Sequence, residues 1–170
     1  DTVAIPQILY NVPGRTSVDM LPETVQRLST HTNIIGIKEA SGNKDRSMQL
    51  MKLCSENIQI FTGDDKTSMS DIIDGFSGNI SVTANVAPLE MHMMCKYAIE
   101  GNLEKATEIN SKIETLHDIL FCESNPIPVK WCLNKMGLIK KGIRLPLTWM
   151  DEKYDESLNN ALIKTGVVNE

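Results

Sequence analysis

Positive charge and aromatic side chains are both in short supply. In a chain of 170 residues, 17 lysines and arginines face 22 acidic residues, a formal net charge of −5, and aromatics make up 5% of the total. With a pI near 5.2, the chain lacks the basic face that nucleic acid requires, and equally the one that an anionic membrane surface attracts. No apolar run approaches the ~20 residues needed to span a bilayer. The first thirty residues hold no basic segment leading into an apolar stretch, so no secretory signal is read there. Cys54, Cys95, Cys122 and Cys132 show no CxxC spacing, and His31, His92 and His117 are scattered. A zinc site would draw its ligands together at short spacings, so free thiols in a reducing cytoplasm are the expectation. The length suits one core, or one core with an appendage. Because the sequence opens at Asp1 and not at Met, we expect further chain upstream.

What is present is a regular alternation over the first ninety residues. Short apolar runs at Ile5 to Leu9, Ile34 to Lys38, Ile58 to Phe61 and Asn79 to Val82 predict strands. Between them, Pro22 to Thr30, Asp45 to Cys54 and Ser68 to Asp74 predict helices, the first with proline in its opening turn. Strands apolar on both faces and separated by helices describe βα units around a parallel sheet. After Pro88 the strand pattern ends. Leu89 to Ile99, Leu103 to Leu120, Pro128 to Lys135 and Tyr154 to Thr165 carry helical spacing. Met91, Met93 and Met94 read as core filler. The expected fold class is α/β, the C-terminal half of a (β/α) barrel. Residues 1–100 would form a partial barrel carrying the catalytic strands, and residues 101–170 a helical domain. A closed eight-stranded barrel takes ~250 residues, more than this chain supplies.

Lys38 closes the second apolar run, just before Glu39-Ala40-Ser41-Gly42, and Tyr10 closes the first, 28 positions upstream. A lysine at a strand end before a glycine-containing turn can be desolvated and still reach a cleft. An unperturbed lysine titrates near ~10.4, and desolvation is what frees such an amine to attack a carbonyl. A phenol beside it can move the protons that imine formation requires. Each residue taken singly also suits a commoner role, a solvated lysine or a tyrosine with its hydroxyl in water. Arg15, after Pro13-Gly14, can fork onto a carboxylate or stand as an ordinary surface arginine. Asp64 and Asp65 follow the third run and suit a turn or a helix cap better than a metal, because adjacent carboxylates diverge. Ile80 sits where a strand-end backbone carbonyl can face a barrel mouth, although its side chain says nothing of this.

Together these segments form an ordered set: Tyr10-Asn11-Val12-Pro13-Gly14-Arg15-Thr16, Gly36-Ile37-Lys38-Glu39-Ala40-Ser41-Gly42, Gly63-Asp64-Asp65, Ile80-Ser81-Val82-Thr83-Ala84-Asn85 and Asn125-Pro126-Ile127-Pro128-Val129-Lys130. The set resembles the dihydrodipicolinate synthase family, within the N-acetylneuraminate lyase-type class I aldolases, from Pro6 to at least Gly166. The tyrosine-to-lysine spacing marks the superfamily. The arginine after the Pro-Gly turn and the Asn-Pro-Ile-Pro segment point to the synthase branch.

The resemblance implies a Schiff-base condensation of pyruvate with L-aspartate 4-semialdehyde, the step that opens the diaminopimelate route to L-lysine in the cytoplasm. Lys38 would form the imine and Tyr10 would donate and accept protons. Arg15 would hold the semialdehyde carboxylate, and the Ile80 backbone carbonyl would meet bound pyruvate. The protonated imine is the electron sink, so neither a metal nor an organic cofactor is implied. Family members are usually homotetramers. They also carry an N-terminal half with a pyruvate-carboxylate loop and a second tyrosine, which these residues do not contain. The chain is therefore expected to be a C-terminal fragment beginning near the fifth strand, oligomeric or prone to aggregate through open strand edges. Two alternatives stay open, a pyruvate-dependent aldolase acting on a sugar acid and an inactive half-barrel.

Overall fold

The computed structural model of the protein describes residues 2–168. Its chain divides into two compact units, one running to Ser81 together with Ala98–Gly101, the other formed by Val82–Tyr97 and the residues from Asn102 onward. The division falls inside the span that the sequence assigns to the barrel segment.

In the first unit four strands, β1 (Gln7–Asn11), β2 (Ile34–Glu39), β3 (Gln59–Thr62) and β4 (Gly78–Asn79), form one sheet in the order β1-β2-β3-β4. All three pairings are parallel. Sequential parallel neighbours need a crossover between them. A one-turn helix α1 (Pro13–Thr16) opens the first, which α2 (Pro22–Leu28) completes; α3 (Lys44–Cys54) and α4 (Ser68–Ile73) serve the others. Pro22 fits the first turn of α2, where a missing N–H costs nothing. Asn43 caps α3 by accepting from the Arg46 amide at 3.1 Å, a contact of a kind that contributes about 1 kcal/mol.

The sheet has two unlike faces. Ile37 and Ile60 join Val25, Leu50, Ile72 and Phe76 in the buried core on the helix side. Residues one position away, Ile8 and Tyr10, are 45% and 49% exposed on the other side. Apolar residues thus lie on both faces, as the sequence predicts, but among the described residues Ile8 and Tyr10 stay exposed on the face away from the helices.

Two strand positions differ from the sequence expectation. The first strand lies two residues later than Ile5 to Leu9. Pro6 has no N–H for the ladder, so pairing begins at Gln7, whose amide donates to Asn33 O at 2.7 Å. The fourth strand is Gly78–Asn79 and not Asn79 to Val82. Its partner β3 ends at Thr62, which pairs with Asn79. The Ile80 amide still donates to Thr62 O at 2.9 Å, but Val82 is already in the helical region of φ,ψ and leads into a 3-10 turn at Thr83–Asn85.

The second unit is helical: most of α5 (Pro88–Ile99), then α6 (Leu103–Ile119), α7 (Ile127–Lys135) and α8 (Asp155–Lys164). Met91, Met94, Ile113, Leu116, Leu120, Cys132, Leu158 and Leu162 are all buried there. Met91 and Met94 thus fill the core as expected, while Met93 is half-buried. Within the same unit the buried hydroxyl of Thr83 lies 2.9 Å from His117 Nδ1, and His117 Nε2 lies 3.3 Å from Asn110 Oδ1. Among the described residues no helix is long and apolar enough to cross a membrane.

Candidate active site

Tyr10 and Lys38 are direct cross-strand partners in the β1–β2 register. Since side chains alternate across a strand, both project from the uncovered face. Lys38 is half-buried, and its Nζ lies 4.3 Å from the centroid of the Tyr10 ring. The amine and the phenol that the sequence singles out are thus brought together near the C-terminal ends of their strands. That is the end at which the loops of a (β/α) barrel build its chemistry.

Arg15 lies at the same end of β1, in the one-turn helix α1, with an exposed side chain. Ser17 ends that helix in the left-handed region at φ 55°. Ile80 directly follows β4 at the C-terminal end of the sheet, with its side chain 40% exposed. Asp64 makes a turn rather than a helix cap: its Oδ1 accepts from the Lys66 amide at 2.9 Å, and α4 is preceded by Thr67 without a side-chain cap. Asp65 is buried and accepts from Asn79 Nδ2 at 2.8 Å. Among the described residues no group of three or more His, Cys, Asp or Glu side chains converges on a point that could hold a metal ion.

Sequence reasoning overlooks the layer behind the pair. Asn11 and Glu39, each one residue beyond a reactive candidate, are also register partners and face the helices. Both are buried. Asn11 Nδ2 donates to Glu39 Oε2 and to Asp19 Oδ1, each at 3.0 Å, while Asn11 Oδ1 accepts from the Met20 amide at 2.9 Å. Glu39 Oε1 accepts from the Ser41 amide at 2.8 Å. From α3, the Arg46 guanidinium donates from Nη1 and Nη2 to the two oxygens of Asp19 at 2.9 and 2.6 Å. The bond from Arg46, followed by that from Asn11, holds the Asp19 carboxyl below its ordinary value. One signal for this layer is visible in the sequence. A polar residue adjacent in a strand to an outward-facing one must point inward, and there it needs a partner.

A wide surface depression of about 610 Å³ lies at the opposite end of the sheet, lined in part by His31, Ile35, Asn57, Gln59 and Ser77. It holds neither Tyr10 nor Lys38, and the N-terminal end of barrel strands serves stability rather than chemistry.

Residues 2–165 match the model of the dihydrodipicolinate synthetase family. The chain belongs to that family. It is 56% identical over 168 residues to 4-hydroxy-tetrahydrodipicolinate synthase of Pseudomonas putida strain W619 and 54% identical to the synthase of Pseudomonas aeruginosa PAO1, in each case over 99% of this chain and 58% of the relative. Among solved structures, the chloride-inhibited dihydrodipicolinate synthase of Acinetobacter baumannii complexed with pyruvate is 50% identical, with a TM-score of 0.95 over 98% of this chain and 57% of that one. The dihydrodipicolinate synthase of Thermotoga maritima is 39% identical, also with a TM-score of 0.95, over 98% and 58%. The chain spans somewhat more than half the length of the relatives it matches, and its fold is about half of a TIM barrel.

Proposed function

We propose that this chain carries the Schiff-base half of a 4-hydroxy-tetrahydrodipicolinate synthase, a lyase of the class I aldolase type that condenses pyruvate with L-aspartate 4-semialdehyde. The observation that supports this reading best is the Lys38 amine over the Tyr10 ring, fixed by adjacent parallel strands. In the proposed sequence the neutral amine attacks the pyruvate ketone to form a carbinolamine. Tyr10 delivers a proton to the departing water and later accepts one from the methyl carbon. Loss of that methyl proton gives an enamine, whose carbon attacks the aldehyde. Ring closure by the semialdehyde's own amine then displaces Lys38. The ring face beneath Nζ attracts the protonated imine, by about 0.5–2 kcal/mol depending on solvation.

In the same reading Arg15 binds the semialdehyde carboxylate and the Ile80 backbone carbonyl meets pyruvate. Residues 1–100 serve as the catalytic barrel segment and residues 101–170 as the helical domain. The reaction uses no metal or organic cofactor, takes place in the cytoplasm and serves lysine synthesis through diaminopimelate. A homo-oligomer, a tetramer as is usual in the family, completes the proposal.

The test is to incubate the purified chain with pyruvate, reduce with cyanoborohydride and map the product by mass spectrometry. An adduct on Lys38 that is absent from Lys38→Arg supports the reading. A folded chain without that adduct refutes it for these residues on their own. Coupled assays with aspartate semialdehyde against N-acetylneuraminate then separate the synthase from a sugar-acid aldolase.

A further inference from the structure

Gly63 stands immediately after β3, and its amide donates to Glu39 O at 2.7 Å. It is not among the glycines with positive φ, so its backbone conformation alone does not call for glycine. The space around it does. A Cβ built on Gly63 would lie 2.5 Å from Lys38 Cε, 3.1 Å from Lys38 Cγ and 2.8 Å from Ala40 Cβ. Carbon atoms pack at about 3.5–4.0 Å, so a methyl group there would occupy the volume in which the lysine stem now lies.

We propose that Gly63 is a positioning residue for Lys38: the absent side chain is the seat of the lysine stem, and it fixes where the amine stands relative to the Tyr10 ring. Two points of the stem, Cγ and Cε, lie against Gly63, while Nζ reaches over the ring. The lysine is thus held between β3 and β1 rather than extended freely into solvent. A side chain at position 63 would turn the stem out of this seat, and because the stem is flexible the main effect would be to relocate the amine. The contact with Ala40 Cβ is different, since that atom is fixed by the backbone. The seat as such is independent of the proposed condensation; its consequence for pyruvate rests on that reading.

The experiment compares the Gly63→Ala/Ala40→Gly double variant with Ala40→Gly, which removes the backbone-fixed clash from both. Trace acetic anhydride labelling across pH, read by mass spectrometry at Lys38 with exposed Lys52 as internal standard, reports the amine's surroundings without any substrate. A second arm measures the pyruvate–cyanoborohydride adduct. We expect Lys38 labelling to change by about threefold or more, the size of effect that an altered amine environment produces. We expect the adduct rate to fall on the order of 10- to 100-fold, as for an ångström-scale misplacement of a reacting group. Unchanged labelling in the folded double variant overturns the proposal, whatever happens to the adduct. Altered labelling, with the unmutated chain forming no adduct, supports the seat and sinks the proposed function for these residues on their own. If the double variant does not fold, adding Lys38→Ala, whose side chain ends at Cβ, should restore folding; failure to do so also overturns the proposal.

Discussion

Replacing Asn11 by aspartate exchanges one amide for a carboxylate of the same shape at the centre of the polar layer. The new oxygen would take the place of Nδ2, 3.0 Å from Glu39 Oε2 and 3.0 Å from Asp19 Oδ1. Two unit charges at that distance repel by about 5 kcal/mol at an effective dielectric of about 20. The Asp19 contact counts for less, because that side chain is 37% exposed and paired with Arg46. Protonation sets a ceiling on the penalty. Holding a proton at pH 7 on a group that titrates near ~3.9 when unfolded costs about 4 kcal/mol, at 1.36 kcal/mol per unit. A protonated carboxyl would donate to Glu39 much as the amide does now. The same ceiling is about 1.5 kcal/mol at pH 5. The folded-state pKa of the introduced carboxyl is raised, so the penalty is full above that raised value and disappears below the unfolded one. Urea unfolding of Asn11→Asp and of the parent, followed by circular dichroism at both pH values, should give a deficit of about 3–4 kcal/mol at pH 7 that shrinks by about half or more at pH 5. A deficit of equal size at both values, or none at pH 7, would refute carboxylate crowding as the physics of this layer.

Two further outcomes follow from the same geometry. Tyr10→Phe keeps the ring face under Lys38 but removes the hydroxyl, so Lys38 adduct formation should slow on the order of 100-fold, while the urea midpoint holds because Tyr10 is 49% exposed; an unchanged rate would remove Tyr10 from the proposed proton transfer. Burial pushes the Cys132 thiol up from 9.0 to about 12. Its contribution to stability is complete below the unfolded value and is lost as pH rises toward the folded one, at up to about 1.36 kcal/mol per unit. Stability measured from pH 9 to 11 should therefore fall more steeply in the parent than in Cys132→Ala, and equal slopes would count against the shift.

The sequence makes the repeating elements legible because each strand is a short apolar run bounded by turn residues, and each helix has its own punctuation, such as Pro22 or Asn43. It is weaker where an element depends on its neighbour. Nothing in Asn79-Ile80-Ser81-Val82 reveals that β3 stops at Thr62 and withdraws the ladder, so β4 ends at Asn79. Within the site, Tyr10 and Lys38 are visible because each closes an apolar run and the ordered segments around them are read together, although singly each suits a commoner role. Gly63 is hidden because its contribution is an empty volume, measurable only once Lys38 Cε is placed beside it. Asn11 and Glu39 leave only the signal of their alternation with Tyr10 and Lys38, and a polar residue after a strand passes for a loop residue until the register pairs it.

That pairing explains how a flexible amine is held near a phenol by two strands with no covalent link between them. A one-residue slip in register would turn every side chain to the opposite face, burying Lys38 among the helices and exposing Glu39. Apolar packing alone guards weakly against this in β1, because its neighbouring residues Ile8 and Leu9, on opposite faces, are both apolar. The Asn11–Glu39 hydrogen bond guards against it directly. A slipped β2 would carry Glu39 out to solvent and take from the buried Asn11 Nδ2 one of its two acceptors, at about 1 kcal/mol for the lost bond. The amine–phenol pair of the proposed reaction and its fastening are thus consecutive residues on the same two strands, Tyr10-Asn11 and Lys38-Glu39, divided between the faces by the strand's twofold repeat. The amine and the phenol stand on the open side, and the contact that fixes their alignment lies one residue further on, buried on the helix side.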